Sequence, residues 1–319
     1  MTADLDRSLP AQARADAERS ARAAGIVVRE VSSVADLAAV RQVFDTVWSA
    51  DPANPAATVE LLRAYAHTGQ YVVLAHDAGS GEVLAASVAF LGTPIGRALH
   101  SNITGVLPAG LGRSLGFAIK LHQRAWALAR GLDLVTWTFD PLIRRNAWFN
   151  LAKLGARPVE YLDEFYGPMD DAINAGDASD RLYVSWPLDD PAVARAAAGE
   201  PQVVDVDALR RNGSHVLLSL GESGDALVLG DVTVLDGVPA VSDVQGVGNG
   251  SGRTALVQVP PDVEALRGRD PALASAWRAG LRQTLGGALR AGWQVSGFGR
   301  DGWYVLDGPL PLWDNGKET

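Results

Sequence analysis

The run Gly105-Val-Leu-Pro-Ala-Gly-Leu-Gly-Arg-Ser-Leu-Gly-Phe-Ala-Ile-Lys120 joins two kinds of local structure. The pattern before it predicts a strand that ends at Val106, and apolar residues at helical spacing from Leu115 predict a helix that stops at Gly131. The glycines between them predict a tight turn. Such a turn leaves several backbone N–H groups unpaired at a helix N-terminus, where the helix dipole also favours a pyrophosphate. An ordinary strand-to-helix connection, with glycines for close packing, fits the same residues.

The periodicity on either side of this turn predicts the fold. Residues 26–188 fit the order β-α-α-β-β-β-α-β-α-β-β, with strands from Ala98 to Val106 and from Leu132 to Phe139. Three antiparallel strands come before the turn, which disfavours a dinucleotide-binding fold, because that fold needs parallel strands there. The predicted fold class is α/β in the broad α+β sense. It has a mixed, mostly antiparallel sheet flanked by helices, plus a smaller C-terminal α+β domain.

Changes in composition divide the chain into four predicted parts. Residues 1–24 are rich in Ala, Arg and acidic side chains and predict a solvated helical extension. Residues 25–188 carry the mixed sheet. The Ala- and Pro-rich residues 189–201 are interpreted as a linker, and residues 202–319 as the C-terminal α+β domain, with one long helix from Ala272 to Ala291.

Composition and charge argue against several kinds of partner. The 319 residues include no cysteine and five histidines without metal-ligand spacing, so we expect no metal site. The net charge of −9 argues against a nucleic-acid partner. No apolar run approaches the roughly 18 residues of a membrane span, and the first residues do not resemble a signal peptide. We therefore expect no membrane partner and a cytoplasmic location, and the sequence leaves the oligomeric state open.

Two further runs carry a family resemblance. Asn146-Ala-Trp-Phe-Asn-Leu-Ala-Lys-Leu-Gly-Ala156 follows the helix-then-glycine pattern, and Thr136-Trp-Thr-Phe-Asp-Pro-Leu142 ends a buried strand. Together with the glycine turn and the element order, they resemble the GNAT superfamily of N-acetyltransferases over about residues 26–188. Within it they resemble a branch of predicted amino-acid N-acyltransferases that use acetyl- or succinyl-CoA.

The resemblance implies an N-acyltransferase that uses acetyl-CoA or another acyl-CoA as co-substrate, with a small-molecule amine, such as an amino acid, as acceptor. A neutral amine would attack the thioester directly, in a cleft between the strands that end at Val106 and Phe139. The implied cofactor-binding residues are Val106, Leu107, Pro108, Gly112, Arg113, Ser114, Leu115, Gly116 and Asn146. A backbone N–H near Val106 would polarise the thioester carbonyl.

The sequence departs from the family pattern at three positions. Leu111 replaces a polar residue at the start of the loop, and Ser114 replaces a glycine inside it. Leu151 occupies the position where many members carry a tyrosine that acts as general acid. These departures favour an alternative function: a catalytically silent acyl-CoA-binding sensor or structural protein.

Asp140 and His100 are the candidate catalytic bases. Asp140 follows a buried strand where the cleft should open, although an aspartate there also commonly caps a turn or the next helix. The unperturbed pKa of a histidine suits a base near neutral pH, although a hydrogen-bonded histidine on the polar face of a strand also fits the position of His100.

Four residues are candidate substrate-binding groups: Asn102, Arg144, Arg145 and Tyr166. Asn102 shares a strand face with His100. Arg144 or Arg145 could bind a carboxylate of the amino acid or of a succinyl group, or could belong to a solvated helix face. Tyr166 could replace the missing acid, or could pack as part of the core or of a lid.

Overall fold

A computed structural model describes residues 2–48, 55–167, 177–221, 227–235 and 254–309. The elements up to residue 197 are α1 (Thr2–Ala24), β1 (Ile26–Glu30), α2 (Val34–Trp48), α3 (Val59–His67), β2 (Tyr71–Asp77), β3 (Val83–Leu91), β4 (Ala98–Val106), α4 (Leu115–Leu128), β5 (Leu134–Phe139), α5 (Arg144–Ala147) with a π-helical continuation (Trp148–Lys153), β6 (Arg157–Leu162), β7 (Arg181–Pro187) and α6 (Pro191–Ala197).

The remaining elements are α7 (Val206–Arg211), β8 (His215–Leu220), β9 (Leu227–Leu229), β10 (Thr254–Gln258), α8 (Val263–Arg269), α9 (Pro271–Leu281), a π-helical segment (Arg282–Gly286), α10 (Gly287–Arg290), β11 (Gln294–Phe298) and β12 (Trp303–Asp307). The long helix predicted over 272–291 is therefore interrupted by a π-helical segment, and α8 was not predicted. The last ten residues of the predicted C-terminal part lie outside the described residues. No helix in the described ranges is long and apolar enough to cross a membrane.

The first sheet has seven strands in the order β1-β2-β3-β4-β5-β7-β6. Neighbouring strands are antiparallel except β4 and β5, which are parallel and are connected through α4. The predicted order of strands and helices and the predicted mixed, mostly antiparallel sheet are confirmed.

Helices cover both faces of this sheet because its central strands are apolar on both sides. Val72 and Leu74 of β2 pack with α2 and α3, whereas Tyr71 and Val73 pack with α4. Gly105 of β4 is a glycine because α2 lies directly above it: a Cβ there would lie 3.1 Å from Trp48 and 3.3 Å from Phe44. These contacts place β4 and β5 at the centre of the molecule.

Two segments outside the sheet pack more closely than predicted. α1 is not a solvated extension: it packs along α4, and its small residues Ala13 and Ala17 are buried there. The segment interpreted as a linker contains α6, which begins at the N-cap Asp190 and buries Val193 against the end of α5. Alanine-rich faces allow both helices to approach closely.

The second sheet has five strands in the order β11-β12-β10-β8-β9, with β8 and β10 parallel. It forms the smaller C-terminal α+β region that the sequence predicts. One apolar cluster continues from the first sheet into this region, and the Tyr304 hydroxyl donates to the backbone carbonyl of Pro141 at 2.8 Å. The second region therefore packs against the end of β5.

Candidate active site

The parallel strands β4 and β5 separate part-way along their length. They pair through Ala98–Leu134, Leu99–Val135 and His100–Thr136, and through no later residue although both strands continue. The space between residues 101–106 of β4 and residues 137–139 of β5 is called the fork below. It corresponds to the cleft that the sequence predicts between the strands ending at Val106 and Phe139.

Backbone groups of β4 point into the fork. The N–H of Leu107 donates to the carbonyl of Leu84 on β3 at 2.8 Å. Because bonded and non-bonded residues alternate along an antiparallel pair, the N–H and C=O of Val106 and Thr104 point to the opposite edge, toward β5. The carbonyl of Pro108, another predicted cofactor contact, accepts from the Leu111 N–H at 3.2 Å.

A β-bulge lies in β4 at Asn102. Val88 of β3 pairs with Ile103 and the next residue, Ala89, pairs with Ser101, so Asn102 is the extra residue. Bulges re-aim side chains and leave a backbone group unpaired, and they are frequent next to active sites. His100 and the exposed Asn102 therefore lie on one face just before the strand changes its alternation.

The turn after β4 has the geometry of an anion site. Gly112 has φ +78° and Ser114 has φ 61°, so two left-handed residues alternate with Arg113. Within the described residues, no carbonyl accepts from the backbone N–H groups of residues 112–116. Successive N–H groups in such a concave turn, at the start of the 14-residue helix α4, bind anions well. The exposed Leu111 stands before this turn, and Leu115 lies buried beneath it.

Arg113 does not point at this turn. Its Nε and Nη2 donate to the carbonyl of Ala24, Nη2 also donates to the carbonyl of Gly25, and Nη1 lies 2.9 Å from Asp77 Oδ2. Every nitrogen of the guanidinium group is thus used at the junction of α1 and β1. This geometry does not support the predicted phosphate contact of Arg113.

The helix α5 with its π-helical continuation closes one side of the fork. Phe149 lies close enough that a Cβ on Gly116 would meet its ring at 3.9 Å, and Asn150 Oδ1 accepts from Trp137 Nε1 at 3.1 Å. Asn146, half-buried, lies one turn earlier on the same helix. Leu151, at the position of the family tyrosine, is 4% exposed and belongs to the core.

A polar patch lies over β5 and β7, on the part of the sheet face that α2 leaves uncovered. His100 Nδ1 lies 3.1 Å from Thr136 Oγ1, and Thr138 Oγ1 lies 3.2 Å from the hydroxyl of Tyr166. The His100 ring also stacks on Tyr183, with centroids 6.3 Å apart. The predicted substrate residues Asn102 and Tyr166 thus share this face with His100.

Burial lowers the pKa of His100, and the nearby charge of Lys120 lowers it further. A histidine with a pKa below its usual 6.5 is neutral at pH 7 and can accept a proton. The half-buried imidazole therefore has the protonation state that a general base requires.

Sequence reasoning missed Lys120 on α4. The side chain is 7% exposed, and Nζ donates to Ser101 Oγ at 2.9 Å. The sequence predicts no role for Lys120. Because α1 packs on one side of α4 and the sheet on another, α4 is buried nearly all round, and a lysine without an acidic partner at helical spacing was the available signal.

Asp140 lies in a buried cluster of charges instead of an open cleft. Its two oxygens accept from Arg278 Nη1 at 2.8 Å and Nη2 at 2.9 Å, and Arg267 Nη2 donates to Oδ2 at 2.7 Å. Asp177 accepts from both arginines as well. Although burial raises the pKa of Asp140, the two guanidinium groups lower it to about 2. A carboxylate held in this way cannot accept a proton at neutral pH, which disfavours the predicted base role.

Arg144 and Arg145 face the second region across a different space. They line an open cavity of about 480 Å³ together with Trp148, Glu264 and Arg300. Arg145 forms an ion pair with Glu264, and Arg144 Nε donates to the carbonyl of Arg300 at 2.8 Å. Helix α5 presents Phe149 to α4 and Trp148 to Arg300, so this cavity and the fork lie on different sides of the helix.

No protein-family model matches the sequence, and comparison with curated proteins finds no similar sequence. Solved acetyltransferases of the GNAT family are similar to it in structure. A phosphinothricin acetyltransferase from Sinorhizobium meliloti, in complex with acetyl-CoA, is 17% identical over 51% of this chain and 88% of that chain, with a TM-score of 0.41.

An acetyltransferase of the GNAT family from Streptococcus pneumoniae is 15% identical over 50% of this chain and 98% of that chain, with a TM-score of 0.41. A ribosomal-protein-S5-alanine acetyltransferase from Vibrio fischeri is 16% identical over 52% of this chain and 94% of that chain, with the same TM-score of 0.41. At these values the likeness carries no argument about chemistry, which rests on the residues of this chain.

Proposed function

We propose that this protein is an N-acyltransferase that moves an acetyl or succinyl group from acyl-CoA to the amine of a small molecule. One observation carries the proposal. A fork between two parallel strands leads directly into a turn whose five backbone N–H groups, residues 112–116, are without a carbonyl partner in the described residues. An extended thioester arm with a pyrophosphate at its end fits a groove of this shape and polarity.

The backbone supports a binding mode for the acyl-CoA. Val106 and Thr104 direct main-chain groups into the fork, where they would pair with the amides of the pantetheine arm, and Asn146 would contact its far end. The N–H groups of Gly112, Ser114 and their neighbours would hold the pyrophosphate. Because these contacts use the main chain, Ser114 in place of glycine is compatible with binding, and its hydroxyl adds a donor.

The polar patch supports an acceptor site on the other face. His100 would take the proton that the attacking amine nitrogen loses, since its pKa is lowered below the usual value and the imidazole is neutral at pH 7. Asn102 and Tyr166 would orient the amine, and a backbone N–H of β4 beside the bulge at Asn102 would polarise the carbonyl. We assign Asp140, Arg113, Arg144 and Arg145 no part in the transfer.

A second candidate function is acyl-CoA binding without turnover. It is favoured by the buried Leu151 at the position where the family carries its tyrosine, since no acid is then supplied from α5. Release of free CoA with a panel of amines separates the two functions. A silent binder holds acyl-CoA and releases no thiol above the rate of hydrolysis.

A matched pair of variants tests the binding site. Ser114→Asp puts a carboxylate at the anion turn, whereas Ser114→Asn has nearly the same shape without the charge, and both residues tolerate left-handed backbone. We expect calorimetry to show that Ser114→Asp weakens acetyl-CoA and succinyl-CoA at least about tenfold, while Ser114→Asn binds like the unmodified protein. Equal affinities for all three proteins would contradict the proposed pyrophosphate site.

A further inference from the structure

Lys120 places an ammonium group at the closed end of the fork. Ser101 and Trp137 are the first residue of each strand beyond the last β4–β5 pair. Lys120 Nζ donates to Ser101 Oγ at 2.9 Å and lies 3.7 Å from the centre of the Trp137 ring. The ammonium group therefore contacts both strands at the point where they begin to separate.

This ammonium group has no counter-ion among the residues that the structure describes. Its second hydrogen bond goes to Gln123 Oε1 at 3.3 Å, and no carboxylate of the described residues lies within ion-pair distance of it. The Nε2 of Gln123 is also buried and lacks a hydrogen-bond partner within the described part of the chain. A buried charge without a counter-ion lowers the stability of a fold, so packing alone does not account for a lysine at this position.

The electrostatic setting suits proton transfer. Burial lowers the pKa of Lys120 to about 7. The charge of Lys120 acts on His100 of β4, on the opposite face of the sheet. Burial lowers the pKa of His100, and the Lys120 charge lowers it further. His100 belongs to the acceptor face and Lys120 to the α4 face, so two titratable groups flank the closed end of the fork from opposite sides.

We propose that Lys120 is the proton donor to the departing sulfur of the acyl-CoA. This inference rests on the proposed acyltransferase function and assigns the acid that Leu151 cannot supply. Tyr166 is not the donor, because its hydroxyl lies on the acceptor face beside Thr138. In this proposal, the sulfur of a thioester threaded through the fork lies beside Lys120 Nζ, between Ser101 and Trp137.

The proposed step balances its atoms and charges. The amine nitrogen bonds to the carbonyl carbon, and the carbon–sulfur bond breaks with its electron pair on sulfur. Lys120 gives one proton to that sulfur and becomes a neutral amine, while His100 takes the proton that the attacking nitrogen loses. Solvent water then carries a proton from His100 back to Lys120, and the products are an amide and CoA thiol.

Lys120→Met is the decisive variant, because methionine fills a similar volume without a charge. Lys153→Met is the matched control: it removes a lysine that packs over the Phe117 ring, away from the closed end of the fork. We expect Lys120→Met to bind acetyl-CoA within about threefold of the unmodified protein and to lose about 100-fold or more in kcat. The unmodified protein should lose kcat as pH rises above neutrality, and the variant should lack that descending limb.

A second readout does not require turnover. A cation beside the sulfur favours the thiolate form of bound CoA, which ultraviolet difference absorbance detects. We expect more thiolate on the unmodified protein and on Lys153→Met than on Lys120→Met at the same pH. Lys120→Gln, which keeps a hydrogen-bonding end near Ser101, serves the same comparison if Lys120→Met does not fold.

The outcomes separate this inference from the proposed function. If Lys120→Met binds acyl-CoA, keeps its turnover and pH profile, and shows the same thiolate fraction, the role of Lys120 is refuted while the transferase function stands. If the unmodified protein binds CoA but transfers no acyl group to any amine, the proposed function fails, and the role of Lys120 as proton donor fails with it. If no CoA species binds, the proposed function and this inference both fail.

Discussion

Two side chains at the closed end of the fork carry the proposed chemistry, one on each face of the sheet. His100 contacts Thr136 and Tyr183 on the acceptor face, and Lys120 contacts Ser101 and Trp137 on the α4 face. Burial disfavours the charged form of both groups and lowers both pKa values. Desolvation by the surrounding helices therefore tunes two ordinary residues toward proton transfer near neutral pH.

His100→Gln tests the base at this scale. Because the neutral imidazole is the active form, kcat/KM should rise with pH on the acidic side, and the midpoint of that rise should lie below the usual histidine pKa of 6.5. The variant should lose about 100-fold in kcat/KM, and its pH profile should lack the acidic limb. Thiol release measured across pH checks both results. The exposed His67→Gln on α3 is the control. An unchanged pH profile in His100→Gln would remove His100 from the mechanism.

Lys120→Met also has a stability effect with a definite sign. The folded-state pKa of about 7 lies below the unfolded value of 10.5, so folding disfavours the ammonium form. The cost is complete below about pH 7 and disappears as pH rises toward 10.5. After allowing for the lost hydrogen bonds, we expect the variant to gain about 2–4 kcal/mol in free energy of unfolding near pH 6.

Urea denaturation of both proteins at several pH values measures that gain. The difference between Lys120→Met and the unmodified protein should shrink at alkaline pH. A lower free energy of unfolding for Lys120→Met at pH 6 would mean that the ammonium group has a stabilising partner outside the described residues.

The turn between β4 and α4 is predicted to bind the pyrophosphate. Its predicted role depends on backbone shape, and the structure gives that shape through left-handed residues at Gly112 and Ser114. Left-handed backbone is easy for glycine and costs other residues roughly 1–2 kcal/mol. Ser114 therefore holds a conformation that its side chain opposes, with no side-chain hydrogen bond to cap the helix.

Ser114→Gly should stabilise the protein by roughly 1 kcal/mol while keeping acyl-CoA binding, because only the cost of the left-handed serine is removed. Thermal unfolding measures the gain and calorimetry the affinity. Gly112→Ala at φ +78° is the opposite case and should destabilise by a similar amount. A loss of stability in Ser114→Gly would show that the hydroxyl makes a contact that supports the turn.

The elements were largely predictable because their signals are local. Strand β4 has the predicted bounds, Ala98–Val106, and helix α4 (Leu115–Leu128) lies within the predicted residues 112–130. The bulge at Asn102 was not predictable, since no residue of β4 departs from a strand pattern there. Its cause is the pairing with β3, which the sequence of β4 does not contain.

At the scale of the whole molecule, a buried charge cluster joins the two sheets. Asp140 follows β5, whereas Arg267 and Arg278 belong to α8 and α9 of the second region. The cluster therefore fixes the segment after β5, and with it one wall of the fork, against the second sheet. Its function is positional.

Asp140→Asn should destabilise the protein by about 3–5 kcal/mol, because it removes a carboxylate that neutralises two buried guanidinium groups. The folded-state pKa of Asp140 is lowered from 3.8 to about 2, so its contribution is complete above about pH 4 and is lost as pH falls toward 2. Urea denaturation from pH 2 to 7 measures both effects, with the exposed Asp189→Asn as control. If Asp140→Asn keeps its stability but loses about 100-fold in turnover, Asp140 is the base after all.

The sequence by itself determined most of the elements, the glycine-rich turn and the mixed sheet, because hydrophobic period, glycine and proline act over a few residues. Tertiary structure alone decided which charges meet. Asp140 receives its arginines from more than a hundred residues away, Arg113 is drawn to the α1–β1 junction, and Lys120 is desolvated between α4 and the sheet, where it contacts Ser101 and Trp137. Local pattern cannot contain these pairings, since burial and long-range contact set the protonation and the partners of a side chain only after the chain has folded.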